Sequence, residues 1–264
     1  MKASRRKIKE LLWVSGLHAP ARSLHAATLG RQAAAAKNKM REFYRSVLEP
    51  GALVFDIGAN VGVLSAVFAS LGAKVVALEP NQDCVRHIQL SYGDQQIEVI
   101  QAAVGARNGL AILNIADERD VRSSISDEWM KTMGGQDESY LGIWSRQNTV
   151  PMLTLDTLIE HFGMPQFIKI DVEGFEGKVI SGLTAQPPLI SFEFTAAFLD
   201  PAMRCLEMEV FREGSSYNYA YNADWGYPVR FESTAWLTKK ELKKTLLEIG
   251  GGDRQGDVFV KAPE

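Results

Sequence analysis

One stretch constrains this chain more than any other: LVFDIGANVGVLSAVFASLGAKVVALEP, Leu53 to Pro80. An apolar run ends in Asp56, a loop built on Gly58, Asn60 and Gly62 follows, and a second apolar run ends in Glu79. Short runs that are apolar on every residue are strands buried on both faces, which occur in parallel sheets covered by helices on each side. The spacing places a strand over 52–57, a helix over 61–71 and a second strand over 73–78. Asn81 is positioned to cap a helix reaching Tyr92, and 97–104 reads as a third strand. The implied fold is α/β, a doubly wound, seven-stranded, mostly parallel, Rossmann-like sheet.

The pattern continues after an irregular middle. Short strands are expected over 109–115 and 150–153. Between them residues 116–149 form a polar insertion containing Ser123, Ser124, Trp129 and Trp144, expected to lie beside the site. Helix near 156–162, strand 166–172, helix 175–183, strand 189–194, helix 201–213 and strand 217–221 follow. Thr238 and Glu241 have capping-box spacing for a helix ending at Gly250 to Gly252, and 257–261 is the last strand.

Charge narrows the ligand. A pyrophosphate bound at a helix N-terminus wants bare N–H groups and the series G-x-G-x-x-G. Here the glycines are spaced differently, and Asp56 at the strand end would repel phosphate. S-adenosylmethionine has no phosphate; it offers an ammonium, a sulfonium and a ribose diol, so carboxylates at both ends of the motif favour it. Glu79, at the tip of the second strand, stands where an acid accepts hydrogen bonds from both ribose hydroxyls. Taken singly, Asp56 is also readable as a turn cap, Glu79-Pro80 as a solvated strand end, and Gly58, Asn60 and Gly62 as a tight turn.

KIDVEG, Lys169 to Gly174, is the second chemical signal. Alternation in a strand puts Lys169, Asp171 and Glu173 on one side near the strand end, with Glu193 of SFEF in the corresponding position on the next strand. Ligands of open α/β sheets sit at the carboxyl ends of strands. Asp171 is therefore the first candidate to organise a proton-coupled transfer, with Glu173 and Glu193 behind it. A buried Lys169–Asp171 structural pair with Glu173 capping the next helix is the plainer alternative. No metal is expected, because no Asp-Asn pair or His cluster reinforces the three acids. His87 and His161 read as packed or solvent-facing helix residues, although His161 has the option of crossing the site.

The chain resembles the FkbM family of S-adenosylmethionine-dependent methyltransferases. The resemblance rests on VFDIGANVG, VVALEPN, QAAVG, RSSIS, VPMLTLDTLI, FIKIDVEGFEGKVISGL and ISFEF in that order, with a weaker match at DVFVKAP. It implies S-adenosyl-L-methionine as cofactor, held by Asp56, Gly58, Asn60, Gly62, Glu79, Pro80 and Ala103, with Asp171, Glu173 and Glu193 at the reacting centre. It also implies methylation of a hydroxyl oxygen, on a sugar, glycolipid or natural product. The expected sites hold no Asn/Asp-Pro-Pro-aromatic loop of the kind amino-group methyltransferases use. Trp129, Trp144, Trp225 and Tyr227 fall in segments able to overhang an acceptor. A nicotinamide-dinucleotide oxidoreductase and a non-catalytic methyltransferase-like binding module are the competing classes. The first lacks its glycine series, and the second would have lost the loop or the acids.

Composition sets the remaining bounds. With 46% hydrophobic and 23% charged residues in 264, the chain reads as a globular protein with one large domain. Two cysteines, Cys84 and Cys205, build neither a disulfide framework nor a metal motif. The formal charge of −3 argues against general nucleic-acid binding. Residues 1–49 nevertheless carry eleven Lys/Arg against Glu10, Glu42 and Glu49. They are expected to form a basic helical appendage to a domain over 50–264, with weak membrane-surface contact as an option. The apolar stretch near Leu11 is short and broken for an export signal, so a cytoplasmic location is expected.

Overall fold

The computed structural model describes residues 34–116, 123–124, 144–223, 226–251 and 254–263. The chain divides into two compact units, Met1–Met40 and Arg41–Glu264. Of the first, only residues 34–40 are described, and they are helical. The second opens on helical residues 41–45 and holds every strand among the described residues.

Its first half is the doubly wound arrangement that the apolar runs dictate: β1 (Leu53–Ile57), α1 (Val63–Ser70), β2 (Lys74–Leu78), α2 (Gln82–Tyr92) and β3 (Ile97–Ile100). A hairpin sheet then interrupts, made of β4 (Ala103–Val104), β5 (Gly109–Ala116), β6 (Ser123–Ser124) and β7 (Trp144–Leu153). The main pattern resumes with α3 (Leu155–Phe162), β8 (Phe167–Ile170), α4 (Glu176–Ile180), β9 (Leu189–Thr195), α5 (Asp200–Leu206), β10 (Ser216–Tyr221), α6 (Lys239–Ile249) and β11 (Gln255–Lys261).

Seven strands form the main sheet in the order β10-β11-β9-β8-β1-β2-β3. The pairs β9–β8, β8–β1, β1–β2 and β2–β3 are parallel, and β11 runs antiparallel to both of its neighbours. From β1 the chain first winds outward through β2 and β3 and later returns on the other side as β8. The β1/β8 boundary is thus the point where winding reverses, and a crevice opens at the strand ends there.

Each face has its own core. Phe55, Ile57, Ile168, Ile170, Ile190 and Phe192 form one face, in a cluster with Leu155 and Leu158 of α3, Val179 and Ile180 of α4, and Leu206 of α5. On the other face, Phe167 and Phe259 stack with ring centroids 6.2 Å apart. Tyr44 and Phe43 of the helical residues 41–45 pack edge-on against Phe68 and Phe259 respectively.

Several boundaries differ from the sequence reading, each for a physical reason. The run 97–104 is two strands: Ala102 N–H bonds back to Ile100 O, and the chain leaves the main sheet for the hairpin sheet. The break is hidden because Ala102, Ala103 and Val104, which are buried, prolong the apolar pattern of Ile97, Val99 and Ile100. Strand β7 begins at Trp144, so part of the polar insertion is an exposed edge of the β5–β7 ladder. Helix α5 ends at Leu206 rather than Glu213, and α4 is a single short helix rather than 175–183. The Asn81 cap, a Thr154 cap on α3, and the Thr238–Glu241 capping box are present.

Candidate active site

A cleft opens at the β1/β8 switch point. Its lining includes Asp56, Gly58, Asn60, Glu79, Pro80, Ala103, Asp171 and Glu173, together with Lys169, Phe175 and Tyr227. Residues from opposite halves of the motif and from KIDVEG therefore meet, as parallel strands ending on one edge require.

The loop after β1 is held by its own amides. Gly58 and Ala59 N–H both donate to Leu78 O, at 2.9 and 3.0 Å, and Gly62 N–H donates to Ala59 O at 2.8 Å. Asn60, in the left-handed region at φ 50, donates its N–H to Glu79 Oε2 at 2.8 Å. Four of the amides a pyrophosphate would need are thus already committed to protein oxygens. Gly62 does not line the cleft. A Cβ there would lie 2.8 Å from Ile88 Cγ1, so this glycine serves the close approach of α1 to α2.

Glu79 is 4% exposed and ties the loop to the start of α2, since Oε1 accepts Asn81 N–H at 2.8 Å. Burial pushes its carboxyl up to about 7 despite the two amide bonds. Each oxygen keeps one further lone pair, which is what a vicinal diol requires. Asp56 turns toward α1, where its Oδ2 accepts Ser65 Oγ–H. Burial raises it to about 6, with Ser65 and Lys169 pulling the other way.

Lys169, 1% exposed, is the buried cation of the site. Its Nζ donates to Asp171 Oδ2 at 3.3 Å and to Asp257 Oδ1 at 3.1 Å. Burial alone would lower its proton affinity; Asp171 and Asp257 outweigh that and hold it well above the usual lysine value. Asp171 is further fixed by its own N–H, which donates to Ile57 O at 2.9 Å. Beyond it Glu173 adopts φ 53, and the turn is secured by Glu176, whose Oε1 accepts the N–H groups of Val172 and Gly174 at 3.3 and 3.1 Å. The loop anchor is thus Glu176 rather than Glu173. Burial pushes Glu176 up to about 7.

Glu193 does not line the cleft. It stands on β9 behind Asp171, and burial followed by the charges of Asp171 and Glu173 raises its carboxyl well above the usual range. Among the described residues, no group of three or more acidic, His or Cys side chains is arranged to hold a metal ion. His161 packs against Phe162, with ring centroids 4.5 Å apart, and His87 Nε2 lies 3.3 Å from Ser91 Oγ on α2; neither lines the cleft. Ser123 and Ser124 form β6 opposite Ile115 and Asn114. Trp129, Trp225 and the side chain of Trp144 lie outside the described residues.

The donor set suits a cation with a diol. Among the described residues lining the cleft, Asp56, Glu79, Asp171 and Glu173 face one ammonium, Lys169, which is itself spent on Asp171 and on Asp257. Comparison with known families agrees with that chemistry. The sequence model described as the Methyltransferase FkbM domain matches residues 56–221. The chain belongs to the FkbM methyltransferase family. S-adenosylmethionine is the cofactor of this FkbM methyltransferase, and the chain is an S-adenosylmethionine-dependent methyltransferase. No curated protein matches it. Among solved structures it is similar to a precorrin-6y C5,15-methyltransferase from Geobacter metallireducens, with 14% identity, 87% of each chain covered and a TM-score of 0.38. It is also similar to a putative RNA methyltransferase from Pyrococcus horikoshii, with 11% identity, 87% of this chain and 85% of that one covered, and a TM-score of 0.42. A TehB-like methyltransferase from Corynebacterium glutamicum shares 14% identity over 92% and 99% of the two chains, with a TM-score of 0.39.

Sequence reasoning named the residues flanking the motifs but not the supports behind them. Asp257, Glu176 and Tyr44 carried only weak signals: an acid in the otherwise apolar DVFV, a second acid three residues past Glu173, and a Tyr on the buried side of a basic helix.

Proposed function

We propose that this FkbM methyltransferase transfers a methyl group to a hydroxyl oxygen of a small, neutral, polyhydroxylated acceptor such as a sugar, glycolipid or natural product. The observation that carries this reading is that Asp171 and Glu173 both line the cofactor cleft, with Asp171 held there by Lys169. A hydroxyl must lose its proton as it attacks, and a carboxylate fixed at the edge of the cleft is suited to receive or relay it. Asp171, pinned by Lys169 and by its backbone bond to Ile57, supplies the fixed contact, and Glu193 stands behind it.

Asp56, Gly58, Asn60, Glu79, Pro80 and Ala103 would hold the cofactor, with Gly62 setting the loop. When bound, S-adenosylmethionine supplies the methyl group as an electrophile. The protein's part is alignment, exclusion of water and disposal of the proton. The excess of carboxylates favours a neutral acceptor over a polyphosphate chain, whose binding depends on Lys and Arg neutralising its charge.

The test is transfer of label from radiolabelled S-adenosylmethionine to a panel of sugars, glycolipids, polyketides and RNA, followed by identification of the methylated atom. Methyl ether formation on a small acceptor is expected. An N-methyl, S-methyl or C-methyl product, or labelling of RNA alone, would overturn the assignment.

A further inference from the structure

Tyr227 lies outside the 56–221 segment that matches the family, yet it lines the same cleft as Asp56, Glu79 and Asp171. Contacts between the described residues that flank it hold it there. Asn222 and Pro228 form an antiparallel bridge, Ala223 N–H donates to Tyr227 O at 2.9 Å, and Gly226 N–H donates to Ala223 O at 2.8 Å. Gly226, at φ 79, takes the left-handed conformation the turn demands.

The cleft has two chemically different ends. Glu79, Pro80 and Ala103 form the end suited to the cofactor's ribose and base. Asp56, Lys169 and Asp171, the lining groups whose charges act on Tyr227, are assigned to the other. Burial and then the charges of Asp171 and Asp56 hold its phenol protonated, with Lys169 opposing. Around neutral pH the group is therefore a neutral hydrogen-bond donor among carboxylates.

That donor meets a specific need. The amino-acid end of S-adenosylmethionine carries an α-carboxylate as well as an ammonium, and this end of the cleft is rich in acids. Of the described residues lining the cleft, the side-chain donors are Asn60, Lys169 and Tyr227. Lys169 is engaged by Asp171 and Asp257, and the backbone amides of Gly58, Ala59 and Asn60 are committed to Leu78 O and Glu79; the side chains of Asn60 and Tyr227 remain, and Tyr227 is the one whose charged neighbours are Asp171 and Asp56. We propose that Tyr227 closes the cleft over the amino-acid end of the cofactor and donates its phenolic hydrogen to the cofactor's α-carboxylate, a binding residue contributed from beyond the family-matched segment. The inference rests on the cofactor orientation assigned above, with Glu79 at the ribose.

Two commercially simple probes separate the ends. S-adenosylhomocysteine carries the amino-acid part, and 5′-methylthioadenosine lacks it while keeping the ribose and base. By isothermal titration with the full chain, Tyr227→Phe should weaken S-adenosylhomocysteine about tenfold or more, as expected for a lost bond to a charged acceptor, and leave 5′-methylthioadenosine within about twofold. Glu79→Ala should weaken both probes. Unchanged S-adenosylhomocysteine affinity in Tyr227→Phe, or an equal loss for both probes, would overturn the role of Tyr227 while leaving the cofactor assignment intact. Failure of the wild-type protein to bind either probe would instead sink the underlying reading. Tyr227→Phe keeps the ring, and a matching thermal unfolding profile distinguishes lost binding from lost fold.

Discussion

Gly58 and Asp171 touch through their backbones: a Cβ placed on Gly58 would overlap the carbonyl oxygen of Asp171. Gly58 also sits at φ 81, where a side chain is strained whatever the space. The glycine of the cofactor loop is therefore required by the backbone that follows β8, and a larger residue there would clash within the protein. Gly58→Ala should force β1 and β8 apart at Ile57–Asp171. We expect a lower melting temperature, with several kcal/mol lost as is typical of overpacking combined with positive-φ strain, and no measurable S-adenosylhomocysteine binding. A variant that melts like wild type and binds normally would refute the packing account.

Glu79 makes cofactor affinity depend on pH. Its carboxyl is pushed up to about 7, so a ligand that hydrogen-bonds the charged form must displace a proton on binding at pH 6. Affinity for S-adenosylhomocysteine should rise as pH increases from about 6 to 8 and then level off. Titrations in buffers of differing ionisation heat should show proton release at the lower pH. In Glu79→Gln the dependence should flatten and affinity should fall, by roughly 1.5–3 kcal/mol for each charged hydrogen bond removed. Proton uptake in the wild-type protein would contradict this.

The same buried acids set the stability profile of the protein without ligand. Asp56 is raised to about 6 and Glu176 and Glu79 to about 7, all by burial, so the folded chain holds protons that the unfolded chain has already released. Groups raised in the folded state contribute fully below their unfolded values near 4 and lose that contribution as pH rises through 6 to 7. Thermal unfolding should therefore shift to lower temperature between pH 5 and pH 8, with Glu79 alone accounting for a change on the order of 3 kcal/mol. A melting temperature that climbs over this window would show that the acids are better solvated than their burial implies.

Truncation distinguishes two parts of the basic N-terminal region. Tyr44 is fully buried, with Phe68 at 4.8 Å and Phe167 at 6.1 Å between ring centroids, and Phe43 meets Phe231 at 5.0 Å. Deletion of residues 1–40 should leave a cooperative, cofactor-binding core. Deletion of 1–48 removes both aromatic side chains from the sheet face and should cost about 3–5 kcal/mol for each large ring lost, enough to unfold a marginal domain. Circular dichroism melts of the two products decide the matter; equal stability would mean that Phe43 and Tyr44 contribute little to the core.

What the sequence made legible follows from range of interaction. Leu53–Ile57 and Lys74–Leu78 are buried on nearly every residue, so their runs announce a parallel sheet, and Asp56 and Glu79 stand out because they end those runs. Side-chain alternation likewise put Lys169 and Asp171 together. The break at Gln101 was invisible because exchanging one sheet for another costs no hydrophobicity. Asp257 lies 88 residues from Lys169, and Tyr227 is held at the cleft by contacts between the residues that flank it; no local pattern encodes either meeting.

Lys169 concentrates the remaining risk in the fold and in the chemistry. The side chains of Lys169 and Asp257 are each 2% exposed, while that of Asp171 is 32% exposed and lines the cleft. Among the described residues Asp257 Oδ2 has no hydrogen-bond partner, and the carboxylate relies on Lys169 for the compensation of its charge. Removing one partner of a buried pair leaves an uncompensated charge and costs about 3–5 kcal/mol. Lys169→Met should show that loss in denaturant unfolding, and Lys169→Met combined with Asp257→Asn should recover part of it, because the orphaned charge is gone. Asp171→Asn preserves shape and removes only the more exposed partner, so it should fold normally and bind S-adenosylhomocysteine with little change. Once an acceptor is in hand, the same variant should lower turnover by about 10²-fold if Asp171 takes or relays the hydroxyl proton. Full turnover in Asp171→Asn would pass that role to Glu193, and a double variant no more stable than Lys169→Met would show that the cost lies in packing rather than in charge.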